Sequence, residues 1–155
     1  MTVALALVLG IVAGLRSMTP PAVVAWAAHW GRLQLDGTPL AFLDSTAARY
    51  ILVVAMLAEL VADKLPFTPA RTGIGSFTGR IVSGALSGAA LTAGLGGSLG
   101  VGAAAGGLGA VVGTLAGYRA RTGIVRALGV HDFPVALAED IVAVVTALLV
   151  VTAGA

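Results

Sequence analysis

The composition of this chain of 155 residues excludes an ordinary soluble domain. Hydrophobic residues make up 58% and charged residues 10%, with a mean hydropathy of +1.01, whereas soluble domains carry about a quarter charged residues. We therefore predict a single all-α integral membrane domain over residues 1–155. With no cysteine and two histidines, we expect neither a disulfide nor a metal site, and no cofactor is predicted.

The charge balance indicates a lipid partner. Nine basic residues against seven acidic ones suit a bilayer with anionic headgroups, and without a basic stripe and aromatic platforms we exclude nucleic acid. The first residues lack the basic stretch of a signal peptide, so we expect the segment from Val3 onward to form a retained span.

Uncharged runs predict five membrane spans, because a spanning helix needs about 20 mostly apolar residues. The expected spans are residues 3–30, 45–65, 76–95, 99–118 and 133–152. The first contains Thr19-Pro20-Pro21, and prolines remove backbone donors, so we expect this span to be broken there. The run Ile81–Tyr118 would measure about 57 Å as one helix and must therefore fold back, at Gly94–Gly102.

Small residues recur at four-residue spacing in the third and fourth predicted spans, as in Gly84 with Gly88 and Gly109 with Gly113. This spacing allows close contact between helices in lipid. Two interpretations stay open. The glycines pack helices together, within one chain or in a homo-oligomer that is most simply a dimer, or they line a pore.

The distribution of basic residues predicts the orientation in a bacterial inner membrane. With five spans, two connectors on one side hold six bases, whereas those on the other side hold Arg32 and Arg49. The positive-inside rule then places the N-terminus in the cytoplasm and the C-terminus outside. The six bases are Lys64, Arg71, Arg80, Arg119, Arg121 and Arg126.

Two internal matches suggest a repeat. Ala70-Arg71-Thr72-Gly73-Ile74 recurs letter for letter at residues 120–124, and Gly10-x-x-x-Gly14-x-Arg16-x-x-Thr19 matches residues 113–122. Since the first and fourth predicted spans cross in opposite directions, the second match indicates an inverted repeat of the kind found in secondary transporters. Chance similarity in a chain rich in glycine and alanine is the alternative.

Ionisable residues inside the predicted spans are the candidates for an ion or solute path, because such residues are costly in lipid and face the interior with a partner. For Arg16 we predict an ion pair with Glu59 or Glu139, the deepest acids. The acids offer a proton relay or a cation site, or they pair with the inner bases. The candidates are Arg16, Thr19, Glu59, Asp63, Glu139 and Asp140.

The two charged connectors offer a second chemistry. A threonine after each connector arginine could cap a following helix, whose free N–H groups would bind a phosphate or carboxylate. The alternative is that the arginines contact lipid headgroups. The anion or headgroup candidates are Arg71, Thr72, Arg80, Arg119, Arg121, Thr122 and Arg126.

Three segments together carry a family resemblance: GLRSMTPPAVVAW, AELVADKLPFTPARTGIGSFTGRIVSGALSGA and GYRARTGIVRALGVHDFPVALAEDIVA. They resemble the small bacterial membrane proteins of the domain-of-unknown-function 4126 family, over nearly the whole chain. The resemblance implies a compact protein with several membrane spans, and it implies no activity.

Two classes of function follow from these patterns, with a third beside them. A broken first span with intramembrane Arg16 favours a transporter- or channel-like protein for an ion or small solute. The alternative is a membrane enzyme or binding protein acting on a lipid phosphate at the cytoplasmic face. The third is a packing subunit of a larger membrane complex.

Overall fold

The computed structural model describes residues 1–63, 73–129 and 131–154. Every regular element in these ranges is helical, and α3 and α5 begin with serine caps. Ser45 Oγ accepts a hydrogen bond from Ala48 N at 3.1 Å, and Ser98 Oγ accepts one from Val101 N at 3.4 Å. The helices are α1 (Thr2–Leu15), α2 (Thr19–His29), α3 (Thr46–Ala62), α4 (Ile74–Gly94), α5 (Leu99–Leu128) and α6 (Asp132–Gly154), with a short 3₁₀ helix at Ala41–Asp44.

The predicted break in the first span is present, and it lies just before the prolines. Helix α1 ends at Leu15, Arg16 is extended (φ −138°, ψ 108°), and α2 begins at Thr19. Pro20 and Pro21 lie in the first turn of α2, where a missing backbone N–H costs no helical hydrogen bond. The prolines therefore start a helix rather than interrupt one.

The chain reverses direction at this break. Arg80, near the start of α4, donates to Gly14 O at the end of α1, whereas Gln34 N, just after α2, donates to Gly94 O at the opposite end of α4, 3.0 Å away. Arg80 and Gly94 are about 21 Å apart along α4, so α2 runs back beside it. The sequence predicts a single crossing over residues 3–30 that is broken near its middle, whereas in the structure α1 and α2 form a helical hairpin at this break.

Both ends of the chain lie at one end of the bundle. Gly154 in α6 lies beside the side chains of Leu5 in α1 and Leu95 after α4. We call this end the termini end, and the opposite end, where the hairpin turns at Arg16–Met18, the tip end. The predicted arrangement, with five spans and the termini on opposite sides, differs from this geometry because the hairpin does not cross the bundle.

Helices α1, α4 and α5 approach each other at glycines. A Cβ added at Gly84 would lie 2.6 Å from Gly106 O, and one at Gly10 would lie 2.8 Å from Gly106 Cα. Ordinary Cβ contacts are longer, so these helices pack backbone against backbone, as small residues permit in lipid. The spacing of these glycines therefore serves packing inside one chain, which is one of the predicted roles, and the dimer stays a prediction.

The segments matched as an inverted repeat run in the same direction. Along α1 and α5, Gly10 meets Gly106 and Gly14 meets Gly113, so the residue numbers of both helices rise together. A two-fold axis in the membrane plane would make the two helices antiparallel. Because α1 and α5 are parallel, the sequence match between residues 10–19 and 113–122 does not correspond to an inverted repeat of these two helices.

The second charged connector is largely helical. Helix α5 continues ten residues beyond the expected end at Tyr118 and stops at Leu128, where Gly129 adopts the left-handed conformation (φ 61°) that favours glycine after a helix. Only a short link then precedes Asp132. The predicted connector at residues 119–132 is therefore mainly the last part of α5.

Two described helices, α5 and α6, are long and apolar enough to cross a membrane. Large apolar side chains are also exposed on the outside of the bundle, which suits association with lipid. They include Ile51, Val54 and Val61 of α3, Val82 of α4, Leu108 and Val112 of α5, and Ile141, Val145 and Leu149 of α6.

Candidate functional site

Arg16 is fully buried at the tip of the α1–α2 hairpin, between two aspartates from different helices. Its Nε donates to Asp140 Oδ1 of α6 at 2.5 Å, its Nη2 also pairs with that carboxylate, and its Nη1 pairs with Asp63 at the end of α3. The predicted partners, Glu59 and Glu139, are wrong. The expectation that a buried guanidinium must have a carboxylate partner is confirmed.

Glu59 instead binds the start of α2. Its Oε1 accepts from Ser17 N at 2.8 Å and from Ser17 Oγ at 2.7 Å, and its Oε2 accepts from Met18 N at 2.7 Å. These amides precede the first turn of α2, where backbone N–H groups lack helical partners and the helix dipole favours negative charge. Glu59 therefore serves as the cap of α2 from another helix.

Arg80 binds the other side of the break. Its Nη1 donates to Gly14 O at 2.6 Å and to Leu15 O at 2.8 Å, which are carbonyls at the C-terminus of α1. Its Nη2 lies 4.0 Å from Glu59 Oε1. A cation is favourable at the C-terminus of a helix and an anion at the N-terminus. Arg80 therefore suits the end of α1, and Glu59 suits the start of α2.

The sequence predicts that Arg80 lies in a connector and contacts an anion or a lipid headgroup. In the structure its side chain is buried, with 3% of its surface exposed. The sequence carried a signal for this, because Arg80 lies inside the predicted span 76–95 and needs a buried partner as Arg16 does. Two serines at the tip were not predicted: Ser17, and Ser83, whose hydroxyl donates to Ser17 O.

A second ion-pair cluster lies beside the first. Arg121 of α5 donates from Nε to Asp132 Oδ1 at 2.7 Å and from Nη1 to Glu139 Oε2 at 3.4 Å. Glu139 directly precedes Asp140, the partner of Arg16. A cavity of about 290 Å³ opens between α5 and α6 here, and it reaches Leu15 of the hairpin. The two clusters are thus adjacent along α6.

Two buried hydroxyls have no hydrogen-bond partner in the described part of the chain. Thr19 Oγ1 is in the first turn of α2, and Ser87 Oγ is in α4, which packs against α2. Both residues are fully buried. A buried hydroxyl without a partner costs about 1–3 kcal/mol, so these two groups are places where water or a solute would gain a hydrogen bond.

The other anion candidates have different positions. Thr122 caps no helix, because it lies inside α5 and its hydroxyl donates to Tyr118 O at 2.8 Å and Arg119 O at 3.1 Å. Arg119 and Arg126 are exposed on the last turns of α5, where headgroup contact stays a prediction. Arg71 and Thr72, together with Lys64, lie outside the described residues.

Within residues 1–63, 73–129 and 131–154, the structure contains no group of three or more side chains of the metal-binding types close enough to hold an ion. Each of the four carboxylates of Glu59, Asp63, Glu139 and Asp140 has an arginine or backbone amides as partner. The arrangement therefore stabilises a helix break and buries charge, and its carboxylates are engaged by the protein itself.

Comparison with known proteins places the chain in a family without assigning a role to it. No curated protein and no solved structure matches the chain. One family model matches residues 3–154, which is nearly the whole chain. The chain thus belongs to the family described as a domain of unknown function, DUF4126.

Proposed function

We propose that this chain is a transporter- or channel-like membrane protein that passes an ion or small solute along the tip of the α1–α2 hairpin. The observation that carries the proposal is the complete burial of Arg16, between Asp63 and Asp140, at a helix break inside the bundle. Irregular backbone at membrane depth occurs where it is buried in protein or lines a cavity, and half-helix ends are common transport sites.

In this proposal, α3, α4, α5 and α6 cross the bilayer and the hairpin enters it from the termini end. Helix α1, with 14 residues, reaches about 21 Å, which is roughly two thirds of a 30 Å hydrocarbon layer. Arg16 then lies within the membrane, toward the tip end. Arg80 of α4 and Arg119, Arg121 and Arg126 of α5 also lie toward the tip end, which supports a cytoplasmic location for it.

The alternative, an enzyme acting on a lipid phosphate, receives less support from the geometry. Such an enzyme needs carboxylates that can bind Mg²⁺ and arginines that can bind phosphate. Glu59 is held by backbone amides, Asp63 and Asp140 are held by Arg16, and Arg80 is held by carbonyl groups. A packing role is the outcome if no flux is found.

Reconstitution into liposomes tests the proposal, with fluxes of H⁺, K⁺, Na⁺, chloride and phosphate measured separately. We expect wild type to pass at least one of these above empty liposomes. Thr19→Val keeps the shape and removes the buried hydroxyl, so flux should fall about tenfold if that contact contributes about 1–2 kcal/mol. Asp140→Asn should also reduce flux.

Matched controls separate a path from a packing role. Thr152→Val changes an exposed threonine whose hydroxyl donates to Leu148 O, and Arg32→Ala removes an exposed arginine at the termini end. Neither should alter flux. If Thr19→Val leaves both flux and thermal stability unchanged, Thr19 is not part of a path. If folded wild type passes none of the five ions, the transport proposal is wrong for ions of this class.

A further inference from the structure

Helix α3 is attached to the bundle differently from the other helices. Arg49 is its only buried residue, whereas each of the other five α-helices buries six or more residues. Its main packing is against α2 and the 3₁₀ helix Ala41–Asp44. Since close packing of side chains is what holds helices together in lipid, and only Arg49 of α3 is buried while Leu52 packs partly against the core, α3 is packed less closely than the other helices.

The termini end of α3 has a firm anchor. Ser45 caps the helix, the guanidinium of Arg49 lies 5.6 Å from the ring centroid of Trp26, and Tyr50 meets the same indole edge-on at 6.3 Å. Aromatic edge-to-face and cation–π contacts of this kind add specific attraction to the packing of the two helices. This end of α3 therefore has specific contacts that resist movement.

The tip end of α3 is attached through carboxylates. Glu59 binds the amides of Ser17 and Met18 and faces Arg80, and Asp63 pairs with Arg16. Their side chains keep 14% and 11% of their surface exposed, so the contacts lie at the edge of the bundle. The polar contacts of Glu59 and Asp63 thus join the tip end of α3 to the hairpin and to α4, while the other end of α3 is anchored by aromatic packing.

We propose that α3 is a gate, with its hinge at the Trp26–Arg49–Tyr50 cluster and its latch at Glu59 and Asp63. Loss of charge on the two latch carboxylates releases the tip end of α3 and opens a way from the tip end of the bundle to the hairpin turn. This inference rests on the proposed function for the purpose of the gate, while the movement itself can be measured without any flux.

Asp140, the second aspartate that contacts Arg16, lowers the energetic cost of such an opening. A buried charge that loses its only partner is strongly destabilising. When Asp63 leaves with α3, Asp140 on α6 still contacts Nε and Nη2 of Arg16. The departure of Glu59 uncovers the amides of Ser17 and Met18, which then become available to water or to an anionic group.

The geometry sets the size of the expected movement. From Arg49, at the hinge, to Asp63 the helix measures about 21 Å, so a tilt of about 14° around the hinge moves the tip end by about 5 Å. The movement should be large at residue 62 and small at residue 47. A uniform loosening of the bundle would instead change distances at both ends.

Spin-label distances measure this movement directly, because the chain has no cysteine of its own. A tip-end pair, Ala62→Cys with Ala116→Cys, joins exposed positions of α3 and α5, and a control pair, Ala47→Cys with Gly100→Cys, joins exposed positions at the termini end. Each pair is measured by pulsed electron resonance in lipid, in the wild-type background and with Glu59→Gln plus Asp63→Asn.

We expect the tip-end distance to lengthen by about 5 Å or to gain a second, longer population in the latch variant, while the control distance stays the same. Asp63→Asn alone provides a milder variant if the double change impairs folding. An unchanged tip-end distance in both variants overturns the gate, and so does an equal change in both pairs. A moving gate in a protein without flux would instead contradict the proposed function.

Discussion

At the scale of single residues, the buried charge of Arg16 requires carboxylate partners. A guanidinium stays charged at any ordinary pH, and here it is fully buried with carboxylates of α3 and α6. We expect Arg16→Ala to lower the free energy of unfolding by about 3–5 kcal/mol, because the buried Asp140 and the partly buried Asp63 both lose their counter-charge. Unfolding in mixed detergent micelles, followed by tryptophan fluorescence, measures this loss.

The identity of the partners can be tested by rescue. Arg16→Ala combined with Asp63→Asn and Asp140→Asn should be more stable than Arg16→Ala alone, since no uncompensated charge is left. Glu139→Gln is the matched control: its side chain pairs with Arg121, so it should not rescue. Rescue by Glu139→Gln, or none by the aspartate changes, would contradict the observed pairing.

At the scale of helices, the contact between α4 and α5 depends on the absence of a side chain at one position. A Cβ at Gly106 would overlap the backbone of Gly84, whereas one at Gly107 would make ordinary contacts of 3.8 Å with Ala85 and Ile81. We expect Gly106→Ala to destabilise the protein by about 1–3 kcal/mol through overpacking. The same unfolding measurement applies.

The neighbouring glycine provides the control for that change. Gly107→Ala makes the same substitution in the same helix, but the added Cβ overlaps no neighbouring atom. It should therefore be neutral or stabilise the protein by up to about 1 kcal/mol, because alanine favours the helix over glycine by about that much. Equal destabilisation by both changes would mean that helix propensity or lipid contact, rather than close packing, decides the effect at position 106.

At the scale of the whole molecule, the hairpin changes the expected orientation. Because α1 and α2 return to the end at which they start, residues near Leu5 and Gly154 lie at the same end of the bundle. With the basic tip end in the cytoplasm, we expect reporters fused before Met1 and after Ala155 both to be active only outside the cytoplasm.

A third reporter completes the orientation test. Placed directly after Gly129, which follows the end of α5 at the tip end, it should be active only in the cytoplasm. A cytoplasmic N-terminal reporter combined with an external C-terminal one would restore the odd number of crossings and contradict the hairpin. All three reporters must be compared in proteins that reach the membrane in similar amounts.

The sequence alone determined the helical class, the positions of most helices and a break close to Thr19-Pro20-Pro21, because runs without charge, proline positions and a serine cap act locally. It also determined that Arg16 needs a buried carboxylate.

Only the tertiary structure decided which carboxylates contact Arg16 and in which direction α2 runs. Those outcomes depend on Glu59, Asp63, Arg80 and Asp140, which lie 40 or more residues from the break and meet it only through space. Hydropathy along the chain carries no record of such contacts, because the same helix break is compatible with a straight span or a hairpin until its free amides and carbonyls find partners.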